Sequence, residues 1–171
     1  MLGDNTFSQL SDRDILHRDS IESNSIAIIV YHLYGNMMSR WTDFFTTDGE
    51  KESRDRDREF EEVIRTKAEM LDYWEKGWAC LFSAVDSIDS TNINQPIYIR
   101  QQEHSIIEAL NRQMMHYAYH VGQIVFIGLQ SKGKNWKSLS IPRGASQKFN
   151  ELKSSRGMHA GHFTDDWVKE V

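Results

Sequence analysis

The stretch HYAYHVGQI, residues 116–124, places His116 and His120 four residues apart in a segment of helical periodicity. At about 100° per residue the two lie ~40° apart on one side of a helix, so both imidazoles can converge on one cation. The spacing alone is weak, because many such pairs are surface or packing residues. A third histidine strengthens it. His32 lies inside the apolar run IIVYHLYG, where an imidazole is costly to bury unless something pairs with it. A hydrogen bond in the core would satisfy that need as well as a metal. If the two helices are neighbours, His32, His116 and His120 make a three-imidazole face. Such a face suits zinc, nickel, copper or ferrous iron better than magnesium or calcium. Three protein ligands also leave a coordination position open for water or substrate.

Polar residues at the same spacing surround the three. Asn36 and Arg40 follow His32 at four-residue steps, Arg112 precedes His116 by four, and Gln123 lies near His120. Such groups can orient ligating imidazoles or grip an anionic substrate, although ordinary helix-surface polarity explains them equally. His17, His104, His159 and His162 are not expected to be ligands. No carboxylate stands out by spacing as a general base. The single cysteine, Cys80 in GWACLF, reads as a small buried hydrophobe rather than a nucleophile.

Composition narrows the function classes. The 171 residues amount to one domain, with 39% hydrophobic and 26% charged residues and two prolines, which favours long helices. A net charge of −5 argues against a broad nucleic-acid surface. The local charge string SRDRDRE reads as a solvated loop. With one cysteine there is no internal disulfide framework and no Cys-rich zinc site. No signal peptide or membrane span is legible, so the expected compartment is the cytoplasm.

Three long helices must position the histidines. The first is read from residues 22–45, capped near Ser23–Ser25 and apolar almost all round in its opening turns. The second opens at Thr66-Lys67-Ala68-Glu69, a capping box, and carries a Leu71, Trp74, Trp78, Leu81, Val85 stripe. Gly77 inside it suggests close approach of a neighbour. The segment PIYIR alternates like a short strand. The third helix opens at a second capping box, Ser105 to Glu108, and its apolar face is read as Ile107, Leu110, Met114, Tyr117, Val121, Val125 and Gly128. The helical core spans about 22–132, and residues 133–171 read as an irregular wrapping tail pinned by Trp136, Ile141 and Phe149. Residues 1–10 offer only two short turns, so one bundle wall is largely missing.

SIAIIVYHLYGNM followed by HYAYHVGQIVF resembles the DinB-like (YfiT-type) superfamily of metal-binding four-helix bundles. SRWTDF, WEKGWACLF, NWKSLSIP and GHFTD look like an uncharacterised subfamily of it. The likeness covers the chain from about Gly3. It implies an all-α single domain over 1–171, an up-down-down-up bundle, commonly a homodimer, with a divalent metal on His32, His116 and His120. Zinc or nickel is the first expectation for the ion, iron or copper the second. The likeness also implies an enzyme class that activates a small-molecule thiol, of the bacillithiol type, toward an electrophile. Metal-dependent hydrolysis and non-catalytic metal binding or dimerisation are the alternatives. The departure is at the front, where relatives begin with a full helix and this sequence carries only its last turns. An apolar groove is the expected consequence.

Overall fold

The computed structural model describes residues 2–158. The chain runs through α1 (Leu2–Phe7), α2 (Asp12–Leu16), α3 (Ile26–Trp41), α4 (Lys67–Asp86), a hairpin of β1 (Ile97–Ile99) and β2 (Gln102–His104), α5 (Ile106–Lys132) and α6 (Ser146–Ser155). It is mainly helical, as expected, and the one small sheet is antiparallel, with Ile97 opposite His104.

Local chemistry sets the helix starts. Ser25 caps α3 by accepting from the Ile28 amide. Thr66 with Glu69 and Ser105 with Glu108 close full capping boxes on α4 and α5, each satisfying otherwise orphaned amides. α3 is buried on nearly every side, from Ile26 to Trp41, so it is the central element against which α4 and α5 pack. Gly77 of α4 lets the two helices approach closely: a Cβ there would sit 3.0 Å from Met37 Sδ and 3.4 Å from Tyr34 Cα. On the α5 side the Trp41 indole donates to the Tyr117 hydroxyl at 2.9 Å. That bond fixes the relative height of α3 and α5, and with it the height of His32 against His116.

Two readings change. The buried face of α5 is Ile106, Ala109, Gln113, Tyr117, Ile124 and Gly128, rotated from the expected stripe, and Ile107 and Met114 are more than half exposed. The reason is that α1 and α3 take one side of the helix and leave the other beside an apolar groove of about 1040 Å³. Trp41, Trp74, Trp78, Phe82, Met114 and Tyr117 are among the residues lining it. The tail is also less irregular than its sequence suggests, because Ser146–Ser155 forms a helix. Trp136, Ile141 and Phe149, the residues expected to pin it, are half-buried. No helix among the described residues is long and apolar enough to cross a membrane.

Candidate metal centre

His32 projects from the middle of α3, and His116 and His120 from successive turns of α5. One ring nitrogen of each lies within 4.8 Å of the other two. His32 Nε2 is 3.2 Å from His116 Nε2. The rings meet edge to face, with centroids 4.9 Å apart for His32 and His120 and 4.7 Å for His116 and His120. The three histidines singled out in the sequence therefore converge.

What the sequence did not reveal is how the rings are held. His32 is 4% exposed, and its Nδ1 is 2.8 Å from Glu59 Oε2. Donation from Nδ1–H to that carboxylate leaves Nε2 unprotonated and aimed at the cluster, the tautomer a metal ligand needs. Glu59, just ahead of Phe60 in a short 3-10 turn (Arg58–Phe60), is gripped in turn by Arg54, whose Nε and Nη2 donate at 2.7 and 2.9 Å. Arg54 also pairs with Glu50. Phe60 stacks on the outer face of the His32 ring at 4.9 Å. The string SRDRDRE is thus corrected: Arg54 and Glu59 are buried parts of the site rather than a solvated loop.

Gly35 belongs to the same arrangement. A Cβ there would run into the Glu59 carboxyl, whose Cδ would be 2.7 Å away. Only a residue without a side chain lets this loop fold down onto α3 and reach His32.

His120 Nδ1 lies 2.8 Å from Gln123 Oε1, so Gln123 plays for His120 the part Glu59 plays for His32. His116 Nδ1 is buried without a hydrogen-bond partner. Of the remaining histidines, His17 contacts Asp19 and His104 lies beside Arg112, with Arg112 Nη1 3.3 Å from its Nε2. His159 and His162 lie outside the described residues. Cys80 is a half-buried free thiol, its Sγ 3.8 Å from the Met37 carbonyl and away from the histidines.

Electrostatics keep the His116 and His120 imidazoles neutral. Burial, with His120, His32, Arg54 and Arg40 adding repulsion, pulls the His116 pKa down to about 4. Burial also lowers His120, and His32 adds to the effect against the opposing bond to Gln123. Burial alone would raise Glu59, but the hydrogen bonds from His32 and Arg54 outweigh it and hold the carboxyl below its usual range. Neutral His116 and His120, with the charged Glu59 carboxylate behind His32, fit a divalent cation at neutral pH.

The sign of the pH effect follows. Below its ordinary value of 6.5 an unfolded His116 takes a proton, whereas the folded one resists until about 4. The unfolded chain then binds more protons, so acid favours unfolding. Metal-free protein is expected to keep its full stability above about pH 6.5 and to lose Tm steadily toward pH 4. Calorimetry across that range checks this, and a flat Tm contradicts it.

The chain belongs to a family described as a protein of unknown function (DUF1572), whose model matches residues 1–145. That span contains α1 to α5 and the whole histidine cluster. No curated protein and no solved structure matches the chain.

Proposed function

We propose that this chain is a DinB-like, metal-dependent enzyme that activates a small-molecule thiol for transfer to an electrophile, with water as the competing nucleophile. One observation carries the reading: three imidazoles from two helices converge, and two of them are oriented from behind by Glu59 and Gln123. A buried carboxylate, itself held by an arginine, is an expensive arrangement for a histidine that merely fills a core. It is a familiar one behind a metal ligand.

His32, His116 and His120 would hold zinc or nickel, with iron or copper also compatible with the donor set. A divalent cation on three imidazoles supplies Lewis acidity, lowering the pKa of a thiol or water that binds beside it. Phe60 screens one face of His32 from solvent, and Glu59 keeps the His32 proton on Nδ1. Cys80 lies away from the histidines, so the thiol is a co-substrate. We read α1, α3, α4 and α5 as the four members of an up-down-down-up bundle. We also read the outward stripe of Met115, Tyr119 and Phe126 on α5, each more than half exposed, as the face of a homodimer.

The test is a cobalt-substituted, dimer-sized preparation titrated with a low-molecular-weight thiol. A thiolate-to-cobalt charge-transfer band, with thiol consumption once an electrophile is added, is the expected result. Unchanged spectra with hydrolysis of ester substrates would favour water as the nucleophile. Unchanged spectra with neither reaction would sink the enzyme reading.

A further inference from the structure

The histidines open on a pocket of about 290 Å³ whose lining includes Arg40, Arg54, Arg56, Arg100 and Arg112 and no carboxylate. In a chain of net charge −5, five guanidiniums around one small cavity are a concentrated exception. Glu50 and Glu59 behind the wall answer part of that charge. Arg54 is committed to both, while Arg40 reaches Glu50 only at 3.8 Å and donates to the Gly49 carbonyl at 3.0 Å. Arg100 touches Glu50 at 3.3 Å from an exposed position. Arg56 and Arg112 have no carboxylate partner among the described residues.

We propose that the arginine side of this pocket is an oxyanion subsite, which takes the carboxylate or phosphoryl group of a substrate whose reacting atom lies at the histidine cluster. The substrate placement rests on the metal-centre reading above; the anion subsite itself does not.

A buried donor in the same lining supports it. Arg40 is 5% exposed and its Nε has no partner. A guanidinium nitrogen so enclosed is normally satisfied, and here it edges a cavity that an oxyanion can enter. The second support is backbone geometry. Arg100 and Gln101 both take left-handed φ, 54° and 61°, in the two-residue turn of the hairpin, a conformation that favours Gly or Asn. Asp48 holds the turn by accepting from the Arg100 and Gln101 amides at 2.8 and 2.6 Å. The strained turn places Arg100 in the same pocket lining as Arg112 of α5. Like charges crowded in this way repel one another when the pocket is empty, and a bound oxyanion relieves that repulsion.

The probes are inorganic phosphate and succinate, titrated at low ionic strength into metal-free and zinc-loaded protein, with chloride as the reference anion. At least one of the two is expected to raise Tm and to bind saturably by calorimetry in both forms. Arg112→Gln and Arg56→Gln are each expected to weaken that binding about tenfold, while Lys148→Gln on the exposed face of α6 leaves it unchanged. Stronger binding of phosphate assigns a phosphoryl group, and stronger binding of succinate a carboxylate. Equal weakening by the Lys148 change, or no saturable binding of either anion, overturns the subsite. If the anions bind but zinc does not load, the metal centre fails and the subsite stands. If zinc loads and the anions do not bind, the reverse holds.

Discussion

Glu59→Ala is expected to be among the most destabilising single changes in this chain, by roughly 3–5 kcal/mol, or about 10 °C in Tm for a protein of this size. The carboxylate accepts from His32 Nδ1 and from two nitrogens of Arg54, and all three side chains are almost wholly enclosed. Truncation leaves the Arg54 guanidinium with Glu50 alone and His32 Nδ1–H with no acceptor, so the cost is chiefly that of buried groups left unpaired. A surface salt bridge would behave differently: removing the well-exposed Lys76–Asp72 pair should leave stability almost unchanged, because solvent screens it. Chemical denaturation of the two variants side by side checks this. A Glu59→Ala protein within 1 kcal/mol of the parent would mean that the network is not formed in solution.

His32→Ala should have the largest effect on metal. Two imidazoles on one helix hold a divalent ion far less tightly than three, and the expected loss of affinity is at least about a hundredfold. Gln123→Ala, which leaves all three histidines and removes only the partner of His120 Nδ1, should cost roughly ten- to a hundredfold. That ordering separates a ligand from its support. Competition against a chromophoric chelator gives both numbers. Equal affinities for His32→Ala and the parent protein would remove His32 from the centre.

The parts of this site legible in the sequence are those that obey a local period. The four-residue step of His116 and His120, the capping boxes at Thr66 and Ser105, and the small residue Gly77 at a helix contact each follow from chemistry within one or two turns. His32 was legible because an imidazole in an apolar run demands an explanation. Its partner was not. Glu59 lies 27 residues away, in a string of alternating charges whose every local feature says solvent, and only the folded loop over Gly35 brings it inside. The arginines of the pocket were half visible: Arg40 and Arg112 share helical spacing with the histidines, whereas Arg54, Arg56 and Arg100 arrive on loops without a period. The buried face of α5 was misjudged for a related reason. Apolar residues occur almost all round that helix, and which of them are covered depends on where α1 and α3 pack. Residues Ser146–Ser155 lack an apolar stripe, so periodicity could not announce α6.

If one cation binds where His32, His116 and His120 meet, cobalt(II) titrated into metal-free protein will report it through d–d absorption. Bands of a four- or five-coordinate nitrogen-rich site, saturating at one ion per chain, are expected. Absorption that stays that of aqueous cobalt(II), or rises without saturating, would contradict it.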